Sequence, residues 1–218
     1  MTAGYARGEG PRTIGTAIVG KVGPNGKRVG GVVGLNGPQV RTMAAMREAL
    51  SDPSTYGRFF VGGRNRWQGA NHNTTRTIAK AMREGKTLTA AQINKILAAN
   101  EAKMLRQRGD TIARTETANA VEQARIDGVR VDMQKRNYPA QYATKEWLHG
   151  GGGMTPREQH VMQSRTIVEG LDTPFIMGDG TLMQRPLDPN AAARHTINCT
   201  CTVQINIDYV RLRRDGLI

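Results

Sequence analysis

The sequence is poor in cysteine, in aromatic residues and in acid. Its two cysteines, Cys199 and Cys201, stand one residue apart. That spacing is too short for an easy disulfide, so nothing suggests a cross-linked secreted scaffold and a reducing compartment is the default. Aromatic residues make up 5% of 218 positions, too few for a sheet that stacks unpaired bases. No run approaches the ~18 apolar residues that cross a bilayer, and Met1 to Gly10 holds no hydrophobic stretch of the signal-peptide kind, so neither a membrane span nor standard secretion is expected. Acidic residues number 18 against 31 lysines and arginines, which leaves a formal charge of +13.

The excess of base has a location. Residues 1 to 109 hold 18 basic and 5 acidic side chains, whereas residues 110 to 218 hold 13 of each. So complete an asymmetry points to two regions with different partners, polyanion for the first and protein for the second. Arg64, Arg66, Arg76, Lys80 and Arg83 are the candidate contacts to a nucleic-acid backbone, where nonspecific, salt-sensitive binding needs only positive charge. The alternative is that these residues solvate helices and loops.

Glycine supplies 11 of the first 37 residues, and this stretch reads as an arm with a weak hairpin, Ile14 to Val22 against Arg28 to Leu35 through Gly23-Pro24-Asn25-Gly26. A helix follows, capped at Asn36 or Gly37 with Pro38 in its first turn and Val40, Met43, Ala44 and Leu50 as its apolar stripe; Ser51-Asp52-Pro53 ends it. Phe59, Phe60 and Trp67 interleave with Arg58, Arg64 and Arg66, either to clamp phosphate or, as we prefer, to staple a loop to the core. A short helix spans about Thr75 to Glu84. Thr89-Ala90-Ala91-Gln92 is a capping box for the next, which Gly109 is expected to stop.

Asp110 then caps a helix to about Gly128, with Ala113, Thr117, Ala120, Val121 and Ala124 as a stripe of small residues and Glu116, Asn119 and Gln123 as a polar face suited to fastening the terminal sheet. Tyr142 to His149 favours a strand. Thr155 opens a helix to about Val168, and Pro174 to Met177 with Thr181 to Gln184 reads as a hairpin. His195 to Ile207 alternates with period two over thirteen residues, the pattern of a strand, and Asp208 to Ile218 reads as a charged tail. The fold class expected is α+β: a glycine-rich arm (1–37), a basic helical region (38–109), a mixed domain with a small antiparallel sheet (110–208) and the tail (209–218).

One set of side chains has the atom types of a tetrahedral zinc site: His160, His195, Cys199 and Cys201. Against it, Cys-x-Cys lacks the two-residue gap of common zinc knuckles, and cysteines facing the same way as Val203, Ile205 and Ile207 read as core. Arg157 and His160 share a side of their helix, yet no nucleophile or carboxylate is placed by the sequence to complete a catalytic set. No enzyme and no required cofactor are expected. The competing reading is a metal-dependent hydrolase or nuclease, or a toxin-like enzyme, on those four residues.

Five segments taken in order resemble the phage Mu F-like head morphogenesis proteins, also called minor head or minor capsid proteins. They are Thr111 to Thr117, containing Arg114 and Glu116; Trp147; Arg157 with His160; Pro174-Phe175 with Gly180-Thr181-Leu182-Met183; and Ile197-Asn198-Cys199-Thr200-Cys201. Thr200 stands where the family has arginine, and His149-Gly150-Gly151-Gly152-Gly153 where it often has an acidic turn. The start of the chain replaces a long helical part of many relatives, as in a shortened or divided version. The resemblance implies a low-copy virion component near the portal or inside the capsid, present in the host cytoplasm during assembly. Its implied partners are portal or major capsid protein and packaged double-stranded DNA, with the motif residues Arg114, Glu116, Trp147, Arg157, His160, Asn198, Cys199 and Cys201 in structural roles.

Overall fold

A computed structural model of the chain describes residues 7–23, 28–60, 72–151 and 156–218. It divides into two compact units, Met1–Asp110 and Thr111–Ile218, and its fold is α+β.

The first unit is helical. Its glycine-rich start departs from the expected hairpin: Pro11–Val19 is a helix (α1) with Pro in its first turn, and only Lys21–Val22 (β1) and Arg28–Val29 (β2) pair. Ile14, Gly15 and Val19 of α1 are buried; Gly15 and Val19, four residues apart, lie one above the other on the same face of the helix. Helix α2, Gly37–Ser51, starts from a capping box in which Asn36 Oδ1 accepts from Gln39 N at 2.9 Å and Gln39 Oε1 accepts from Asn36 N at 3.1 Å. Its buried side is Met46, Ala49 and Leu50, with Met43 packed against the same cluster; Leu50 and Met43 of the predicted stripe thus face the core, whereas Val40 and Ala44 are exposed. A 3-10 turn, Pro53–Phe59, buries Tyr56 and Phe59. Phe59, with Phe60 packed beside it, belongs to the core, so these aromatics staple their loop inward. Trp67 lies outside the described residues. Helix α3 is His72–Glu84.

Helix α4 runs without interruption from Ala90 to Lys135, and the division between the units falls inside it. The expected stop at Gly109 and fresh cap at Asp110 are therefore wrong. Gly109 is a packing residue instead: a Cβ there would lie 2.6 Å from the Gly15 carbonyl oxygen of α1, so glycine is what lets α1 approach α4. Gly128, on the same helix, would meet nothing within 4 Å. The two glycines should respond to alanine with opposite signs. Gly128→Ala is expected to stabilise by about 0.5–1 kcal/mol through backbone entropy, and Gly109→Ala to cost about 1–3 kcal/mol through overpacking, both read from urea unfolding midpoints.

In the second unit the face of α4 that packs on the core carries Glu122, Ile126 and Met133, all buried; of the predicted small-residue stripe Ala113 is buried and Thr117 half-buried, whereas Ala120, Val121 and Ala124 are exposed. After a 3-10 turn, Ala140–Tyr142, strand β3, Ala143–Leu148, lies at the centre of a three-stranded antiparallel sheet. The helix expected from Thr155 is only Glu158–Met162 (α5), followed by strand β4, Ile167–Glu169. Strands β5, Phe175–Ile176, and β6, Leu182–Met183, form the expected hairpin. The long terminal strand is shorter than its alternation suggested: Ala193–Thr196 is a helical turn (α6), and β7 is Thr202–Ile207. Val203, Ile205 and Ile207 face Trp147, Lys145 and Ala143 across the β3 pairing. The supposed tail is helix α7, Tyr209–Arg214, whose Leu212 is fully buried in this core.

Candidate metal centre

Asn198 explains why the alternating pattern misled. Its φ is +54°, a left-handed conformation that asparagine tolerates better than most residues, and its N–H donates to Thr115 Oγ1 on α4 at 3.0 Å. The Arg157 guanidinium donates to the preceding carbonyl, that of Ile197. The chain reverses locally between α6 and β7, and both cysteine sulfurs turn toward one atom, Nδ1 of His160, each at 3.5 Å. His160, Cys199 and Cys201 form the one group of three potential metal ligands among the described residues, and all three are buried.

His195, the fourth expected ligand, stands on the other side of His160. Its Nδ1 is 3.2 Å from His160 Nε2, within hydrogen-bond reach, and the two ring planes are parallel to within 1° with centroids 5.5 Å apart. Its Nε2 then meets Asp179 Oδ2 at 2.9 Å, and Arg194 donates to the same oxygen at 2.7 Å. The Arg194 guanidinium and the Thr181 N–H hold the Asp179 carboxyl below the usual carboxylate range. A charged carboxylate accepts the His195 Nε2–H, leaving His195 Nδ1 to accept from His160 Nε2–H and His160 Nδ1 with its lone pair toward the sulfurs. The thiols are unequal. Cys201 accepts from Cys199 and is drawn well down, while Cys199, as donor and desolvated, is pushed up.

The other motif residues close around this group. Trp147 packs edge-on to His160 with ring centroids 5.4 Å apart and to Phe175 at 5.3 Å. Thr200, between the two cysteines, donates to the Gly150 carbonyl. From Thr111 to Thr117 the bond to the loop is made by Thr115; Arg114 is exposed and Glu116 half-buried.

The polar face of α4 does fasten this unit together, through partners other than those expected. Asn119 and Gln123 accept from the buried Arg185 guanidinium at 2.6 and 2.9 Å. Glu122, rather than Glu116, reaches the terminal strand, accepting from Thr202 Oγ1 at 2.6 Å and Val203 N at 3.1 Å. Beneath the hairpin Lys145 is fully buried, donating to the Gln184 carbonyl at 2.8 Å and lying over the Phe175 ring; burial brings its pKa down to about 8. The sequence offered no sign of Lys145, Arg185 or Glu122, because single charged residues in an amphipathic pattern read as solvent-facing. Asp179 was visible only as part of the Gly178-Asp179-Gly180 turn.

The basic candidates lie elsewhere. Arg76, Lys80 and Arg83 are exposed along one stripe of α3, and with Lys86, Thr89 and Gln92 they line an open hollow of about 390 Å³. A second hollow in the first unit, about 340 Å³, is lined by Arg12, Lys21, Arg28 and Arg106, cations that the sequence reading did not single out. Arg64 and Arg66 lie outside the described residues.

No helix among the described residues is long and apolar enough to cross a membrane. No known protein family matches the chain, and no solved structure matches it. The chain is 32% identical over 107 residues to the uncharacterized protein YqbB of Bacillus subtilis, a match that covers 47% of this chain and 32% of YqbB, so the chain spans about a third of the length of that relative.

Proposed function

We propose that this chain is a minor head protein of a tailed phage, whose second unit docks on portal or major capsid protein while its first unit contacts packaged double-stranded DNA without sequence preference. On this reading it resides in the capsid interior or at the portal vertex, and in the host cytoplasm during assembly. The observation that carries the reading is the convergence of the five resembling segments. Thr115, Trp147, Arg157, His160, Phe175, Asn198, Cys199 and Cys201 come from separate stretches of sequence and meet in one place: Trp147, His160, Phe175 and the two cysteines through their side chains, and Thr115 and Arg157 through bonds to the backbone of Asn198 and Ile197. Residues that resemble a family in order and also meet in space support a shared domain more than a scatter of coincidences.

The hydrolase reading is less well supported. His160, His195, Cys199 and Cys201 are each at most 5% exposed, which leaves a polymeric substrate no approach to them. Quantitative mass spectrometry of purified particles tests the proposal: a few copies per DNA-filled head are expected, and consistent absence from particles overturns it. DNA binding has its own measurement. In the full chain, Arg76→Ala, Lys80→Ala and Arg83→Ala combined should weaken binding to any duplex and lower the slope of log affinity against log salt by about 0.9 for each phosphate that is no longer neutralised. An unchanged slope removes α3 from the interface.

A further inference from the structure

We infer that His160, Cys199 and Cys201 bind one divalent zinc ion. This inference stands apart from the head-protein reading, since it concerns the chemistry of a closed side-chain cluster in any particle or none.

The distances carry it. Each sulfur is 3.5 Å from His160 Nδ1, and the three potential ligand atoms lie within 4.8 Å of one another. Zinc bonds of about 2.3 Å to sulfur and about 2.0 Å to nitrogen, at tetrahedral angles, separate sulfur from nitrogen by about 3.5 Å. Hydrogen bonding alone accounts for the arrangement less well. A relay in which Cys199 donates to Cys201 and Cys201 to Nδ1 needs only one sulfur near the single imidazole lone pair, whereas both stand 3.5 Å from it. A cation between the three atoms satisfies all of them.

The surroundings are those of a ligand held in place. His160 gives its other ring hydrogen to His195, and His195 gives its own to Asp179, so the tautomer that leaves Nδ1 open as a ligand is set by two buried rings in line with a carboxylate at the surface. Metal-bound histidines characteristically have such a partner, which fixes the ring and raises its basicity. This also resolves the role of His195: it orients the ligand and does not join the coordination. The backbone reversal at Asn198 supplies what Cys-x-Cys lacks in an extended strand, where neighbouring odd positions would place both sulfurs in a row along one face. Loading the site displaces the two thiol protons to solvent and forms two zinc–thiolate bonds and one zinc–nitrogen bond. The three protein ligands leave the fourth tetrahedral position to a donor other than sulfur.

Purified full-length protein, produced with zinc in the medium and handled without chelator, should contain close to one zinc per chain by plasma mass spectrometry. Exchange with Co²⁺ should give intense visible bands of tetrahedral cobalt and a thiolate charge-transfer band. X-ray absorption should show two sulfur neighbours with the remaining ones nitrogen or oxygen. The Cys199→Ser, Cys201→Ser double variant should lose the metal; if it fails to fold, the wild-type cobalt spectrum decides. His195→Asn keeps all three ligands, so it should still take up one equivalent, with affinity 10- to 100-fold weaker in chelator competition. Metal-free protein that gives no cobalt spectrum on reconstitution overturns the inference, as does a folded double variant that keeps its zinc.

Discussion

Replacing Trp147 with alanine is expected to destabilise the second unit by about 3–5 kcal/mol. The indole is completely buried on β3, faces Val203 across the pairing with β7, and packs edge-on against both His160 and Phe175. Alanine removes that packing all at once and leaves a cavity that three separate elements would have to close. The indole Nε1–H is buried without a hydrogen-bond partner among the described residues, so part of what tryptophan contributes by packing is offset by an unsatisfied donor. Trp147→Phe keeps an aromatic edge toward His160 and removes that donor. Its cost should stay below about 2 kcal/mol. Urea unfolding followed by circular dichroism separates the two variants, and equal losses would show that ring packing is not what holds this position.

Glu122 should give the second large effect. Strand β7 lies at an edge of the β4-β3-β7 sheet, where unpaired backbone groups need cover. Helix α4 provides it: Glu122 accepts from Val203 N, and Arg125, one turn on, donates toward Val203 O at 3.4 Å. Thr202 contributes its hydroxyl to the same carboxylate. Glu122→Ala strands a buried N–H and separates helix from strand, at an expected cost of about 2–4 kcal/mol. Glu122→Gln retains an acceptor and should lose about 1 kcal/mol. Hydrogen exchange gives the local readout, with the Val203 amide losing protection in the alanine variant before the amides of β3 do. Undiminished protection at Val203 would mean that β7 is held from its β3 side alone.

Much of this architecture is legible in the sequence where local chemistry and global packing agree. The capping residues Asn36 and Thr89, the β5–β6 hairpin around Gly178-Asp179-Gly180, and the shared face of Val203, Ile205 and Ile207 all follow from short-range rules that the fold leaves intact. Errors fall where a residue has a long-range role. Gly109 looks like a helix terminator because its reason for being glycine, the backbone of α1, lies about ninety positions away. The packed face of α4 carries Asn119, Glu122 and Gln123, so hydropathy pointed to Val121 on the opposite side. The candidate site was half visible. The sequence named His160, His195, Cys199 and Cys201 and preferred to read the cysteines as core; the way these side chains meet depends on one left-handed residue, Asn198, and on a turn aspartate whose role appears only when Arg194 and His195 are folded against it.

The clamp by which α4 holds β7 also has a temporal side. Glu122 and Val203 are 81 residues apart, and β7 is synthesised after every element it touches except α7. Pairings of such long separation close slowly, because the loop entropy is lost before the pairing gives anything back. Before the segment that leads into β7 is synthesised, Trp147 and His160 have been made and neither cysteine has. The thiols arrive with the segment that shuts the core, so capture of an ion and completion of the fold are coupled in time as well as in space.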